Sequence, residues 1–345
     1  MRANFFIGCV FGLCVAGLSE AQMTQAGIDA ARRQLAEAQK HANGPAHFAI
    51  PDQEQARKTA EMVYNTWRLS MIRGSEPSWR SSTSAARQVK VRNLIISQRG
   101  SFPRDFFSQL QEPPKLENFV YVGSLMGCNG RTMASTYVGK LQLGNSKAKE
   151  NAYVLEFVFE NGKWKLDQSR FFDLSQLPDV RKRLHARDLS VLKEQDGFQP
   201  YTSIPKPPPA CKEPELIGKI FVDCPGRSID MTINGVSIHE FDDERRADVI
   251  SGGLKRGRNT ISYTIRDREG LKRPGMGIGI FVMPETPGNT PVCVYDHLLD
   301  ATDTANGGSF TFSIENAHIA SMNPKFKGEK PAPYHAVPLK AKPKK

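Results

Sequence analysis

The feature that most restricts the fold of this chain is a run of prolines near its middle. Six prolines lie between Pro200 and Pro214, in the stretch FQPYTSIPKPPPACKEPE. Proline lacks a backbone N–H and fixes φ, so such a run cannot lie inside a helix or sheet and instead forms a stiff, extended spacer. A chain of 345 residues is long enough for two domains, each with its own core. We therefore predict a linker at residues 198–214, between one domain at 52–197 and another at 215–322.

Before the linker, the hydrophobic pattern first has the period of a helix. In DQEQARKTAEMVYNTWRLSMIR, Asp52 is a predicted N-cap, and apolar side chains recur every three or four positions. These apolar positions are Ala56, Ala60, Val63, Trp67 and Met71. Further helices are predicted at residues 24–41, 84–98 and 103–111, and a proline pair at 113–114 ends the helical part.

From Leu116 onward the period changes to two, which indicates strands. ENFVYVGSLMG and RTMASTYVGKLQL have this alternation, and AYVLEFVFENGKWKLDQSRFF has two such runs around Asn161-Gly162. Asn-Gly favours the type I′ hairpin turn, because both residues tolerate positive φ. PDVRKRLHARDLSVLKE then predicts a closing helix. Helices followed by strands, two of them joined by a hairpin, make the first domain α+β.

After Glu215 the sequence contains mainly strand-like runs. These are LIGKIFVDC, SIDMTINGVSIHEF, NTISYTIRD, GMGIGIFVM, PVCVYD and SFTFSIEN, each bounded by Gly, Pro, Asn or Asp. Several short strands with turn signals between them indicate an all-β sandwich as the C-terminal domain.

The stretch SGGLKRGRNTISYTI, residues 251–265, has the glycine spacing of a phosphate-binding P-loop. Arg258, however, stands where that motif has Lys, and Asn259 stands where it has the hydroxyl that binds Mg²⁺. A P-loop also opens a helix, whereas residues 260–265 alternate hydroxyl and apolar side chains in the period of a strand. We therefore predict a glycine-rich turn that enters a strand, and no nucleotide or other cofactor.

The same residues resemble galactose-binding-like jelly-roll domains, which are appended to glycoside hydrolases. In that family one strand ends in Asn-Gly, as in MTINGVSI here. A later turn of the type Leu-x-x-Gly-x-Asn enters a strand, here with Leu254, Gly257 and Asn259. The resemblance covers residues 215–316. It implies a β-sandwich that is glycan-binding or purely structural, and no ligand residue carries over.

The first domain resembles the NTF2-like, or SnoaL-like, α+β cone, in which helices precede a strongly bent antiparallel sheet that wraps one of them. The helix around Met62-Val63-Tyr64 and the hairpin FVFENGKWKLDQ, with its Gly-x-Trp strand, carry this resemblance. It covers residues 52–175. The family includes isomerases, dehydratases and many non-catalytic binding modules, and its members often form homodimers through the open face of the sheet.

An enzyme of that kind would need an acid or base in an apolar pocket inside the cone. Tyr64, Asp105 and Tyr137 are the candidate cone-lining residues, and each has the alternative role of a half-buried structural residue. No His-Asp pair has a suggestive spacing, and His185 lies in a basic helix where solvation is the favoured interpretation.

In the second domain, Asp242, Asp243 and Glu244 form an acidic cluster that could bind Ca²⁺ through oxygen ligands. They lack the alternating Asp or Asn ligands and the glycine of an EF-hand loop. A solvated acidic loop that balances the following two arginines is therefore the favoured interpretation, and no metal is predicted.

The first residues have the order of a secretory signal peptide. A basic Arg2 precedes the uncharged run NFFIGCVFGLCVAGL, and SEA then places small residues around a cut before Gln22. We predict a signal peptide at residues 1–21, an N-terminal helix or linker at 22–51, and an exported protein that is periplasmic, cell-surface or secreted. An uncleaved anchor is the alternative, although the run is short for a membrane span; no later segment approaches that length.

Export would place the remaining cysteines in an oxidising compartment, which permits disulfides. Cys128, Cys211, Cys224 and Cys293 follow the predicted signal peptide, and four cysteines allow three pairings. Because three of the four lie in the C-terminal half, we predict one bridge among Cys211, Cys224 and Cys293, and a buried thiol at Cys128.

The formal net charge of +11 indicates an acidic partner. KFKGEKPAPYHAVPLKAKPKK contains seven Lys and one Glu, so just over half of this charge lies in a tail, predicted at residues 323–345 to be disordered. Nucleic acid is disfavoured, because an exported protein meets little of it and no aromatic residues are interleaved with the basic runs for base stacking. An anionic envelope polymer, lipid or glycan fits the tail better, and a solvated tail without a specific partner is the alternative.

Together these patterns predict an exported, non-catalytic protein that binds or acts as a scaffold at a bacterial envelope, with glycan binding through the β-sandwich. The alternative is a small-molecule isomerase or hydrolase acting in the cone. A deep apolar pocket with a buried Asp or His would favour the enzyme, whereas a cone filled by aromatic side chains would exclude it.

Overall fold

The structure is a computed structural model that describes residues 48–108, 112–140, 150–268, 271, 274–301 and 307–335. Within them, a helical region is followed by mostly antiparallel strands in three sheets. The chain divides into two compact units. The first unit contains the described residues of Phe6–Arg92 and Ser101–Pro209, and the second contains those of Asn93–Gly100 and Ala210–Lys345. The predicted signal peptide and the predicted helix at 24–41 lie outside the described residues.

Four helices precede the first sheet within the described part of the chain: α1 (Gln53–Arg73), α2 (Glu76–Ser82), α3 (Ala85–Ile96) and α4 (Arg104–Phe107). Asp52 caps α1 as predicted, because its carboxylate accepts from the backbone N–H groups of Glu54 and Gln55 at 3.0 Å each. The helix ends at Gly74, whose φ of 61° is the left-handed conformation that glycine adopts without strain. All five predicted apolar positions of α1 are buried, so the predicted face is the packed one.

The first sheet is an antiparallel meander in the order β1-β2-β3-β4. Its strands are β1 (Phe119–Gly127), β2 (Thr132–Gly139), β3 (Asn151–Glu160) and β4 (Lys163–Asp173). The predicted Asn161-Gly162 turn joins β3 to β4, with φ of 52° and 75°. Both values are positive, as a type I′ turn requires. Helix α1 packs on one face of this sheet, against β1, β2 and β4.

The other face of the first sheet is covered by the residues that follow it. Two helices, α5 (Pro178–His185) and α6 (Ser190–Glu194), replace the single predicted closing helix, and the chain between them passes through Arg187 with a φ of 54°. Their apolar side chains share one buried cluster with the sheet, for example Leu184 of α5 with Val154 of β3. The NTF2-like resemblance implies a homodimer through this face. Since the chain itself covers it, a homodimer would need another surface.

The second unit contains a five-stranded sheet in the order β13-β11-β10-β5-β8 and a four-stranded sheet in the order β12-β9-β6-β7. The strands are β5 (Gly218–Asp223), β6 (Arg227–Ile233), β7 (Ser237–Asp242), β8 (Arg245–Val249), β9 (Gly257–Asp267), β10 (Met276–Val282), β11 (Val292–Leu299), β12 (Gly307–Ile314) and β13 (Tyr334–His335), with the short helix α7 (Asn316–Ala320) after β12. Side chains of both sheets, such as Ile280 of one and Ile229 of the other, form one buried cluster. The pair of sheets is therefore sandwich-like.

The glycine-rich stretch of the sequence is a turn followed by a strand, as predicted. Gly252 and Gly253 have positive φ of 76° and 64°, and β9 begins at Gly257. No helix opens after these glycines, so the stretch lacks the helix N-terminus on which a phosphate-binding loop depends.

The predicted disordered tail is partly ordered. Its first part lies within the described residues, and there Tyr334–His335 forms β13. This short strand pairs in parallel with β11 at Tyr295 and Asp296. It satisfies backbone groups at the edge of β11 that would otherwise be exposed. The composition of the tail could not indicate this pairing. The remainder of the predicted tail lies outside the described residues.

The predicted disulfide is not formed: the described residues contain no disulfide. The three candidate thiols have different surroundings. Cys211 Sγ lies 3.4 Å from the Ser97 hydroxyl, whereas Cys224 and Cys293 donate to backbone carbonyls at 3.4 and 3.3 Å. Cys128, predicted to be buried, is half-buried in the turn between β1 and β2.

Candidate functional site

Aromatic side chains fill the space between α1 and the first sheet. Tyr64 of α1 packs against Trp67 of the same helix and against Tyr153 of β3, and Tyr153 stacks on Phe171 of β4 with ring centroids 4.0 Å apart. The Tyr153 hydroxyl donates to the Tyr64 hydroxyl at 3.2 Å, and the Tyr64 hydroxyl donates to the Pro114 carbonyl at 2.8 Å. Burial raises the pKa of Tyr64 and raises that of Tyr153 to about 12. Neither phenol is therefore poised as a base near neutral pH.

The three candidate cone-lining residues have different surroundings. Tyr64 belongs to the aromatic core just described. Asp105 is half-buried in α4, where it accepts from the Ser101 N–H at 2.6 Å and from Arg104 at 2.9 Å. Burial opposes its ionisation, but the bonds from Arg104 and Ser101 outweigh this and hold its pKa below the ordinary value. Tyr137 of β2 is 1% exposed, and burial raises its pKa. None of these changes brings the pKa of its group toward neutral pH.

The predicted acidic cluster is split among separate partners. Each of its three carboxylates is held by a different group: Arg268 for Asp242, the Gly226 N–H for Asp243 and Arg246 for Glu244. Within the described residues, no group of three His, Cys, Asp or Glu side chains is arranged to hold a metal ion. The calcium alternative therefore loses its ligand set.

A Ser-His-Asp arrangement that the sequence analysis missed lies between the edge strands β7 and β8. Ser237 Oγ is 2.7 Å from His239 Nε2, and His239 Nδ1 is 3.3 Å from Asp248 Oδ2. The serine is 1% exposed, and its Oγ also accepts from the Ser251 N–H at 2.8 Å. Asp248 is also held by Arg246, at 3.0 and 3.1 Å. A nucleophile must reach a substrate, and Ser237 is buried, so these three residues instead join the edges of the two sheets. The Ser-x-His spacing within a strand was the signal available in the sequence.

The five-stranded sheet carries an exposed apolar surface on the face away from the core. Burial alternates strictly along β5 and β10, which places Phe221, Gly277, Gly279 and Phe281 on the outer face. Phe221 lies opposite Gly279, and Leu298 of β11 lies opposite Gly277. The two phenyl rings meet edge to face with centroids 5.3 Å apart. Phe221 is 48% exposed and Leu298 is 71% exposed. We call these five residues the outer patch.

The two glycines keep the outer patch shallow. A Cβ at Gly279 would lie 2.7 Å from the Phe281 ring, and one at Gly277 would lie 3.2 Å from Leu298 Cδ2. The Phe281 ring and the Leu298 side chain therefore lie close to the backbone of Gly279 and Gly277. Exposed Asp223 and Arg245, 3.9 Å apart, stand at its border. An exposed aromatic ring with polar groups beside it suits a sugar, whose C–H face is apolar and whose hydroxyl groups need hydrogen-bond partners.

A separate cleft of about 510 Å³ opens in the first unit beside β1. It is lined by the start of α1, by residues 119–122 of β1, and by Arg187 and Leu189. Its perturbed groups are Tyr121, whose pKa is raised by burial, and Arg57, whose pKa is raised by its hydrogen bond to Glu61. Neither change brings a group toward neutral pH, so the cleft is better suited to binding than to acid–base catalysis.

Comparison with known proteins adds no relative: no protein-family model, no curated protein and no solved structure matches the chain. Among the helices of the described segments, none is both long and apolar enough to cross a membrane. The outer patch and the β1 cleft are therefore interpreted from their geometry alone.

Proposed function

We propose that this chain is an exported, non-catalytic protein that binds glycans at a bacterial envelope through the outer patch of its second unit. The observation that carries the proposal is the exposed Phe221 beside Phe281, whose ring lies close over the bare backbone of Gly279. An exposed phenyl ring packed against a half-buried one offers contact area at little cost in side-chain entropy. The predicted export signal would bring this surface to a compartment where envelope glycans occur.

The contacts of the jelly-roll motif residues support the proposed galactose-binding-like assignment. Asn234 Nδ2 donates to Asn259 Oδ1 at 3.0 Å, and Asn234 Oδ1 accepts from the Thr260 N–H at 3.0 Å. Asn259 Oδ1 also accepts from the Lys255 N–H at 2.9 Å. The Asn-Gly turn and the Leu-x-x-Gly-x-Asn turn therefore lock each other, which gives the two separated motifs one structural role.

The aromatic filling of the first unit counts against the alternative, a small-molecule isomerase or hydrolase acting in the cone. Tyr64 and Tyr153 occupy the volume where a substrate would sit, and both are at most 1% exposed. A substrate could enter only by displacing these packed side chains. Rearranging a close-packed core in this way costs free energy of folding.

The proposal is tested by applying the full chain to an array of bacterial-envelope polysaccharides and simple oligosaccharides, followed by calorimetry on any glycan retained. Phe221→Ala should weaken binding about fivefold or more, because it removes the exposed ring on which a sugar would stack. Ile238→Ala is the matched control, since Ile238 is 64% exposed on the outer side of β7, in the other sheet. Binding that Phe221→Ala leaves unchanged, or binding to no glycan, would remove the glycan role and leave only scaffolding.

A further inference from the structure

The outer edge of β1 is already occupied in part by the chain itself. β1 is the first strand in the order of its sheet. Ala49 pairs with Met126 through two backbone hydrogen bonds of 2.9 Å each. At Ser124, the side-chain amide of Gln53 takes the place of a neighbouring strand: Nε2 donates to the carbonyl at 3.1 Å, and Oε1 accepts from the N–H at 2.8 Å. The outward backbone groups at both positions are thus satisfied in the manner of a β-sheet.

Before Ser124 in the sequence, the same edge opens into the cleft. Residues 119–122 line it, and Val120 is 59% exposed. On their inner side, residues 119–121 keep a regular antiparallel register with β2, and the irregularity of β1 lies between Tyr121 and Gly123. Their backbone is therefore extended, with strand geometry on the side that faces the cleft. The cleft volume of about 510 Å³ is typical of a ligand site.

The charges around the cleft favour an acidic occupant. Glu54 lies 3.4 Å from Lys58, and Arg57 is held by Glu61 at 2.7 Å, so both charged lining residues of α1 already have partners of opposite charge. Arg187, which also lines the cleft, is exposed, and its guanidinium makes no ion pair with any residue that the structure describes. A guanidinium of this kind binds a carboxylate through two parallel hydrogen bonds.

We propose that residues 119–122 of β1 are a docking site for an extended acidic peptide, which adds to the first sheet as a further strand and places a carboxylate on Arg187. Main-chain hydrogen bonds to the edge of β1 supply affinity, and the contact with Arg187 selects an acidic side chain. The site lies wholly in the first unit, so it is independent of the glycan role assigned to the outer patch of the second unit.

The test uses the full chain and a short fluorescent peptide of alternating Val and Glu, compared by anisotropy with the corresponding Val and Lys peptide. The Val-Glu peptide should bind and the Val-Lys peptide should not. Arg187→Ala should weaken binding of the Val-Glu peptide about fivefold, as expected for an exposed carboxylate pair, and Arg187→Lys should restore part of it. Lys182→Ala is the matched control, because Lys182 is an exposed cation of α5 outside the cleft lining.

A second peptide separates strand addition from simple charge attraction. N-methylation of alternate backbone nitrogens in the Val-Glu peptide removes the N–H groups that a strand would donate but leaves its charge unchanged. Loss of binding, together with slower amide exchange at residues 119–122 in the complex with the unmodified peptide, would support the proposal. Equal binding of the methylated peptide would overturn it, because a ligand held by charge alone does not need those groups. The proposal would also be overturned if free glutamate alone displaced the Val-Glu peptide, or if that peptide did not bind.

Discussion

The carboxylate of Glu156 is buried in the first sheet and forms an ion pair with the guanidinium of Arg170 on the neighbouring strand. Glu156 is 1% exposed, and its partner is also largely shielded, so both charges are removed from most of the solvent. Burial accordingly lowers the pKa of Arg170. Charges in such surroundings are tolerated because each one compensates the other.

Arg170→Met should therefore destabilise the protein by about 3–5 kcal/mol, because it leaves a buried carboxylate without its cation. The double variant Glu156→Leu/Arg170→Met should recover much of that loss, since an apolar pair has no charge to desolvate. Urea denaturation followed by tryptophan fluorescence measures both. A double variant as unstable as Arg170→Met would show that the loss comes from packing and not from the unpaired charge.

Two adjacent glycines in the turn before β9 should differ sharply in their tolerance of alanine. Both have positive φ, so either substitution should cost about 1–2 kcal/mol from the backbone. At Gly253 a Cβ would also lie 2.2 Å from Pro214 Cβ and 2.4 Å from the Leu216 carbonyl oxygen, whereas at Gly252 the nearest contact is an ordinary 3.4 Å. We therefore expect Gly253→Ala to cost about 1–3 kcal/mol more than Gly252→Ala, measured by thermal or urea unfolding. An equal loss of stability in the two variants would show that the predicted clash at Gly253 has no effect.

Removal of the Gln53 side chain should destabilise the first unit by about 1–2 kcal/mol, because two backbone groups of Ser124 and the hydroxyl of Tyr121 lose a hydrogen-bond partner. Gln53→Ala is compared with Gln55→Ala, since Gln55 is an exposed glutamine of the same helical turn. Hydrogen exchange should show faster exchange of the Ser124 amide in the first variant only. An unchanged rate at Ser124 would mean that the side-chain amide does not act as a strand partner.

The acid dependence of stability should include a contribution from Asp188. The Ser190 hydroxyl and the Arg183 guanidinium hold the pKa of its carboxyl down to about 2, from an ordinary value of 3.8. Because the folded-state pKa is the lower one, this contribution is complete above about pH 3.8 and is lost as the pH falls through about 2.

Carboxyl-carbon NMR should show the Asp188 carboxyl titrating with a pKa of about 2. In urea denaturation, Asp188→Asn should lower stability above about pH 3.8 and converge with the wild type in stronger acid. Asp179→Asn controls for the loss of one exposed carboxylate in α5. A constant difference between wild type and Asp188→Asn over this range would contradict the assignment.

The four cysteines after the predicted signal peptide should all be alkylated when the purified protein is denatured without reductant, because no disulfide joins them in the structure. Under native conditions Cys224 should react slowly, since burial raises its pKa to about 11 and a thiol reacts as the thiolate. Intact mass with and without reductant measures the difference. Two fewer alkyl groups in the sample without reductant would show a disulfide and contradict the structure.

Local features of the fold could be predicted because their causes lie within a few residues of one another. The cap at Asp52, the buried face of α1 and the Asn161-Gly162 turn each depend on a short sequence pattern, and the structure confirms each of them. The strand and turn of the glycine-rich stretch were predictable for the same reason, since alternation over six residues is enough to indicate a strand.

The candidate sites depend on residues that are distant in the sequence. Alternating glycines in β10 could be read directly, but only the pairing of β10 with β5 places Phe221 beside Phe281. Likewise, Gln53 meets Ser124 only because α1 packs on β1. The family resemblance left the face of the first sheet open, whereas the structure covers it with α5 and α6. Asn93–Gly100 belongs to the second unit for a similar reason, because its contacts are with residues that are distant in the sequence.

By itself, then, the sequence determined the type and approximate position of most helices, strands and turns, because backbone preference and hydrophobic period are local properties. The tertiary structure decided which side chains meet, which thiols stay apart and which surfaces remain exposed. These outcomes depend on strand order and packing. They therefore depend on contacts between residues far apart in the sequence, which composition and local spacing do not reveal.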